Sequence, residues 1–422
     1  MTEPKTDINI NGITLYNDNL SDIDIIKSII DKNNQEDAFY ILDIEDIIKQ
    51  HKKWFAMIPR VIPHYAIKCN PDDTVIRVIA ALNGKFDCAS KQEIKQVLEA
   101  GVKNDDIIFA NPFKLPSHIQ YAKKVGVSTM TIDSTLEVLK IKELYPDAKL
   151  VIRFAIDGNT SGMKFSEKFG CKPTADAVKL MNFIKKEGMY LRGFSVHLGS
   201  PCYDTDAYYH AIEVCNKFIH TARSMGFNET NLIDIGGGMI GTDDDLFKKV
   251  AESINAAINN LDPSIEVISE PGRYYVESAF TLATYIHSKK INDDNGILTH
   301  HYYINDGVFG SFFEKFYGLN RIPIPLSQSN GEKYQSIIWG PTCDSSDCVT
   351  TEAMIEDLKI GQWMIWKDTG SYTISVASNF NGFPKSAVYP FIRESAMKKF
   401  IQDVETLKKK KTENGFKFIN NK

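Results

Sequence analysis

From residue 37 to 272, short apolar, β-branched runs alternate with stretches of helical period. The runs read AFYILD, HYAIKC, KFDCAS, DIIFANP, STMTID, KLVIRFAI, LRGFSVHLGS, LIDIGGG and IEVISEPG. Between them, SKQEIKQVLEAGV predicts a helix. Ser90 and Glu93 form an S-x-x-E capping box, Ile94, Val97 and Leu98 share a face, and Gly101 can close it. DDLFKKVAESINAAINNL repeats the pattern, with Leu246, Val250, Ile254 and Ile258 on one side. Eight or so β-α repeats over about 230 residues predict a (β/α)8 barrel, with a doubly wound open sheet as the rival. The ends of the runs favour the barrel. Lys68, Asp87, Asn111, Asp133, Arg153, His197, Gly236 and Glu270 all stand there. A barrel collects its site from many strand ends, whereas an open sheet gathers ligand at one switch point.

Beyond residue 272 the pattern changes. HYYINDGVFGSF, YQSIIWG, QWMIWKDTGSYTISVAS and SAVYPFI are aromatic and β-branched, with few helical periods between them. They predict a β domain, a barrel or sandwich, formed by residues 1–36 and 273–422, with ITLYNDN adding a strand from the N-terminal side. The segment ESAMKKFIQDVETLKKKK predicts a helix whose lysines, Lys408 to Lys411, read as a solvated face.

Composition narrows the class. The 422 residues carry 43% hydrophobic and 24% charged side chains and a net charge of -5, ordinary for a folded soluble chain. That balance gives no electrostatic case for nucleic acid or anionic membrane as a partner. The opening MTEPKTDINI lacks a basic-then-apolar signal pattern, and no apolar run reaches membrane-helix length. Seven cysteines, Cys69, Cys88, Cys171, Cys202, Cys215, Cys343 and Cys348, include no C-x-x-C pair. The odd count and spacing argue against a disulfide framework or zinc ribbon and for a reducing, cytoplasmic setting. No H-E-x-x-H pattern occurs among the nine histidines, and no metal site is expected.

Candidate chemistry gathers at the run ends. In DIGGGMIG, Gly236, Gly238 and Gly241 match G-x-G-x-x-G, a weak dinucleotide signal so late in the β-α series. Such a nicotinamide site asks for an acidic residue about 20 positions on, where Asp262 precedes Pro263 in a turn-like segment. A turn whose bare N–H groups approach a phosphate is the simpler reading, and a purely structural turn is the bland one. One step later, SEPGRYY offers Gly272 and Arg273 to the same phosphate, or else only a turn with an ion pair. His197 and Ser200 of HLGS are candidates whose bland readings are a structural histidine and a helix cap. Lys68 ends an apolar run in PHYAIKCNPDD. It reads either as a snorkelling lysine or partner of Asp87, or as the amine that takes pyridoxal phosphate as a Schiff base. Glu270 would then pair with the pyridine nitrogen.

Together YAIKCN, FDCAS, IIFANPFK, FSVHLGS, DIGGG, EPGRYYV, NDGVFGSF, WGPTCDSSD and NFNGF resemble the eukaryotic ornithine decarboxylases, pyridoxal-phosphate enzymes of alanine-racemase-like fold. The resemblance spans roughly residues 38 to 383. It implies that Lys68 carries the cofactor, that Asp87 and Arg153 form a neighbouring ion pair, and that Glu93 adds an acidic group. It implies that His197 stacks on the cofactor ring and that Glu270, followed by Pro271, partners the pyridine nitrogen. Ser200, the Gly236, Gly237 and Gly238 run, Gly272, Arg273 and Tyr372 correspond to phosphate-side contacts. It further implies a head-to-tail homodimer in which PTCDSSD of the other subunit supplies Cys343, to protonate the product carbon, and Asp344, to bind the substrate's distal ammonium. The implied reaction converts L-ornithine to putrescine and carbon dioxide, the first step of polyamine biosynthesis. One position departs from the pattern. Tyr317 matches, but Gly318 stands where the family commonly has a second aspartate for the distal amine, a charge-assisted contact of about 1.5–3 kcal/mol. Arginine or lysine as substrate, and an inactive regulator resembling antizyme inhibitors, are the alternatives. The resemblance also allows an antizyme-like regulator as a partner. The segment DGNTSGMKFSEKFG, corresponding to a mobile loop, also departs from the common pattern.

Overall fold

The computed structural model describes residues 8–10, 12–156, 166–327 and 331–419. The first nine residues of DGNTSGMKFSEKFG and the side chains of Lys408 to Lys411 lie outside the described set. The chain divides into two compact units, residues 49–275 and residues 1–48 with 276–422.

The first unit is a closed barrel of eight parallel strands: Val61–Ala66, Lys85–Cys88, Ile107–Phe109, Thr129–Ile132, Lys149–Arg153, Tyr190–Ser195, Leu232–Asp234 and Glu266–Ser269. The last pairs with the first, Val267 opposite Val61, which closes the ring. Inside, Ile62, Ile108, Val151, Leu232 and Ile268 pack against one another. Such a filled interior leaves only the ends of the barrel for chemistry.

Helices follow most strands, and their starts are set by local chemistry. Ser90 caps Lys91–Glu99 by accepting from the Glu93 N–H at 3.2 Å. The return bond of the expected capping box is shifted by one residue. Glu93 Oε2 accepts from the Ala89 N–H, so the carboxylate reaches back toward the strand end. In Asp244–Ile258 the apolar face is Phe247, Val250, Ile254 and Ile258, under an Asp243 cap, with Phe247 in the place expected of Leu246, which is only half-buried.

The second unit is a ten-stranded mixed sheet rather than a closed barrel. The expected N-terminal strand is Ile13–Tyr16, parallel to Ala387–Arg393. AFYILD, read above as a barrel run, lies in this sheet. Its strand Phe39–Asp43 pairs antiparallel with Phe280–Asp294 and parallel with Ala387–Arg393. Phe39 and Ile41 are buried with Trp363, Ile365 and Phe391, beneath Ile25, Ile26 and Ile29 of the helix Asp22–Asn33. A short apolar run carries no mark of which sheet will receive it. Arg393 holds this assembly by bonds to Asp22, Asp43 and the Leu20 carbonyl, at 2.8, 3.1 and 3.2 Å. Glu394–Ile419 is the predicted helix. Among the described residues no helix is long and apolar enough to cross a membrane.

Candidate active site

The C-terminal mouth of the barrel gathers the polar residues singled out at the strand ends. Lys68 sits in a 3-10 turn, Ile67–Cys69, directly after the strand Val61–Ala66. Ala66 lies opposite Asp87 in the neighbouring strand, which brings the two side chains together. Lys68 Nζ is ion-paired and hydrogen-bonded to Asp87 Oδ2. The pairing differs from the Asp87–Arg153 pair expected from resemblance. Arg153, last residue of its strand, lies over the Phe169 ring at 5.2 Å, and Asp87 feels it only at longer range.

On the two strands that precede the Lys68 strand around the ring lies an acidic pair. Glu270 follows the last strand, and Asp234 ends the one before it. Burial first, then Asp234, pushes the Glu270 carboxyl up to about 8. Burial likewise raises Asp234 to about 6 and Asp87 to about 7, Asp87 being raised further by Glu270 and held down by Lys68. Each carboxyl leaves one buried oxygen without a hydrogen bond: Asp87 Oδ1, Asp234 Oδ2 and Glu270 Oε1. Glu93, also raised by burial, adds a further carboxyl within reach of the Lys68 field. His197 is driven strongly toward its neutral form, by burial and then by Arg153 and Lys68. Its Nδ1 accepts from the Gly199 N–H at 3.2 Å, which leaves the ring proton on Nε2.

Loops around the mouth are stitched backbone to backbone. Glu270 N–H donates to the Gly236 carbonyl at 2.8 Å, Cys202 N–H to Gly238 at 2.9 Å, and Ala66 N–H to Pro271 at 3.1 Å. Ser200 is buried in the same loop as Gly199, and Arg273 is buried at the start of the turn that follows Gly272. A Cβ at Gly237 would stand 2.5 Å from the Glu270 carbonyl oxygen, and one at Gly238 2.2 Å from that of Gly199. Close packing alone therefore demands these glycines, and the same packing brings bare backbone to the mouth. Asp262, the acidic residue a nicotinamide site would ask for, is tied into a turn by the Ser264 N–H at 2.8 Å. The glycine run itself lies in a closed barrel with no switch point, so the dinucleotide reading fails.

The remaining candidates belong to the mixed-sheet unit. Cys343 and Asp344 lie exposed on one loop. Cys343 N–H donates to Asn381 Oδ1 at 2.9 Å. Asp347 holds the loop from within, accepting from Thr342 N–H and Oγ1 at 3.0 and 2.7 Å and from the Val308 N–H at 2.8 Å. Hydrogen bonds from Ser346 lower the Asp344 carboxyl. Tyr317 ends the turn Phe313–Tyr317, which Gly318 closes in left-handed conformation, φ +80°. Tyr372 is also left-handed, φ +49°. Asn320, two residues beyond Gly318, accepts from Lys315 Nζ at 2.7 Å.

Sequence reading passed over Asp234, Asp347 and Asn381. Asp234 was visible as the acidic residue ending the strand of DIGGG. The other two act by reaching across loops, which no local spacing reveals.

The mouth suits a flat, protonatable, anionic cofactor. Among the described residues it has the Lys68 amine, buried carboxyl oxygens without donors to meet them, and glycine-lined backbone. An N–H⁺ group arriving beside Glu270 would meet an acceptor that lacks one. Comparisons agree. Residues 44–277 match the family model for the pyridoxal-dependent decarboxylase, pyridoxal binding domain. Ornithine decarboxylase 2 of Drosophila melanogaster is 37% identical over 89% of this chain and 97% of its own. Antizyme inhibitor 2 of Xenopus laevis is 37% identical over 89% and 86%. Among solved structures, the arginine decarboxylase of Paramecium bursaria Chlorella virus superposes with a TM-score of 0.84 at 30% identity, covering 87% of this chain and all of that one. The chain therefore belongs to the pyridoxal-dependent decarboxylases, with pyridoxal 5'-phosphate as its cofactor.

Proposed function

We propose that this chain decarboxylates L-ornithine to putrescine and carbon dioxide, the first step of polyamine biosynthesis. The observation that carries the chemistry is the buried Glu270 carboxyl, one oxygen unmet, after the strand paired with the one that leads into Lys68. Ornithine is favoured over other diamino acids by relatives of that name matching most of the chain.

Lys68 Nζ would be the amine that takes the cofactor, with Asp87 orienting that amine. Glu270 Oε1 would hold a proton at the pyridine nitrogen, with Asp234 beside the Glu270 carboxyl. His197, neutral, would stack on the ring, and Ser200, Gly236 to Gly238, Gly272, Arg273 and Tyr372 would hold the phosphate. When bound, the cofactor supplies an electron sink for the pair left on the α-carbon as carbon dioxide departs. Cys343 then delivers a proton to that carbon, and Asp344, ionised, binds the distal ammonium.

Cys343 and Asp344 serve the barrel site of a second copy, so the enzyme is a homodimer. Supporting this, Phe316, Tyr317, Phe380 and Phe383 are 52%, 52%, 42% and 40% exposed. Phe316, Tyr317 and Phe380 belong to one aromatic group through Phe309 and Phe313, an apolar face that a partner would cover. All seven cysteines are free thiols, which supports a cytoplasmic setting.

One feature favours a second reading. Gly318 leaves the distal end without a carboxylate that would select ornithine, so lysine or arginine is the second reading. An antizyme-inhibitor-like regulator is opposed by the presence of Lys68, Asp87, Glu270 and Cys343. Carbon dioxide release from ornithine, lysine and arginine by cofactor-saturated protein separates these readings. Ornithine is expected to give the highest kcat/KM, and a faster rival would overturn the substrate. Borohydride reduction followed by mass spectrometry is expected to find the cofactor on Lys68. An adduct elsewhere, or none, would overturn the chemistry.

A further inference from the structure

Gly318 leaves the turn Phe313–Tyr317 without the carboxylate the resemblance expects, yet that turn is anchored by charge from the other side. Glu314, on the turn, is 4% exposed, and Glu277, on another segment of the same unit, is 8% exposed. Both face Arg321. Its Nη2 lies 3.3 Å from Glu314 Oε2 and 3.8 Å from Glu277 Oε1. Its Nη1 donates to the Lys367 carbonyl at 3.4 Å. Glu277 continues the tie, accepting from Ser371 Oγ at 3.5 Å through its carboxylate and from the Gly370 N–H at 3.1 Å through its carbonyl.

Three segments thus meet at one guanidinium: the turn that presents Tyr317 and Gly318, residue 277, and the stretch 367–372 that ends in Tyr372. A five-residue 3-10 segment has little stability of its own. Phe316 and Tyr317 are half exposed, while Phe312, just before the turn, packs on Trp366 with ring centres 4.7 Å apart and Phe316 packs on Phe309. Arginine suits the task because its planar fork serves two carboxylates and a carbonyl at once, which a lysine point charge does not.

We propose that Arg321 is a positioning residue for the reaction. Through Glu314 it fixes the turn bearing Tyr317 and Gly318. Through Glu277 and the Lys367 carbonyl it ties that turn to the Tyr372 segment. The position of the turn sets how the site holds an α-amino acid with a distal ammonium group. This inference rests on the diamino-acid reading of the site given above.

The test uses cofactor-loaded Arg321→Met, Arg321→Lys and Glu314→Gln/Arg321→Gln, the last removing both charges of the closest pair so that folding survives if the single change is too disruptive. Steady-state kinetics with L-ornithine and L-lysine are read beside the cofactor absorbance and the thermal midpoint. In variants that retain cofactor, KM for the better substrate is expected to rise about 10-fold with kcat within about threefold, and the ornithine-to-lysine ratio of kcat/KM to shrink. Arg321→Lys should recover part of both. Unchanged KM and unchanged ratio in folded, loaded variants would overturn the proposal, as would an equal loss for both substrates. Wild-type protein that releases carbon dioxide from neither amino acid would instead overturn the diamino-acid reading, and this inference with it.

Discussion

Glu270, Asp234 and Asp87 are crowded into a dry space, and their protons couple the barrel mouth to pH. The Glu270 carboxyl moves from an ordinary 4.5 to about 8 in the folded chain, with Asp87 and Asp234 displaced the same way. Between about pH 4.5 and about pH 8 the folded state therefore holds protons that the unfolded chain has released. Stability of the cofactor-free protein must fall as pH rises through that window, because the slope follows the difference in bound protons. Glu270→Gln removes the largest contributor and is expected to flatten the fall. Thermal midpoints of stripped wild-type and variant protein from pH 5.5 to 8.5 would check it, and parallel slopes would contradict it. At this scale much of the site was legible. Lys68, Asp87 and Glu270 stand at strand ends where burial and charge conflict, and that conflict is visible in PHYAIKCNPDD before any coordinates. The partner of Asp87 was named two ways, Lys68 from the residues and Arg153 from the resemblance, and only the geometry of the mouth decides between them.

At the level of elements, caps and glycines hold the site's surroundings. Ser90 satisfies one N–H of the helix Lys91–Glu99, and this helix carries Glu93. Ser90→Ala should cost about 1 kcal/mol, a thermal midpoint lower by roughly 2–4 °C for a unit of this size. No change at all in a melt of the loaded enzyme would count against the cap. The S-x-x-E spacing announced the forward bond, but not that Glu93 would reach past Ser90 to Ala89. AFYILD shows the complementary difficulty. Its apolar residues fit a parallel barrel strand as well as the interior of a mixed sheet, and only pairing with residues near 281 and 390 distinguishes the two. Repeats with local connections were readable. Pairings closed over hundreds of residues were not.

For the whole molecule, the proposed sharing of the site between copies makes a distinct forecast. Lys68→Ala and Cys343→Ala chains should each be nearly inactive alone. Mixed and allowed to exchange, they should regain about a quarter of wild-type activity, since about half the dimers carry one intact site of two. No recovery after exchange shown by native mass spectrometry would argue that each chain supplies its own Cys343. The mixed sheet has a temporal consequence as well. Ile13–Tyr16 and Phe39–Asp43 both pair with Ala387–Arg393, and Arg393 clasps Asp22 and Asp43. During synthesis the barrel's residues leave the ribosome as one continuous stretch, while the first forty residues wait, their shared neighbour still untranslated. A nascent chain stalled before residue 387 should therefore carry a protease-resistant middle and a cleavable leading end.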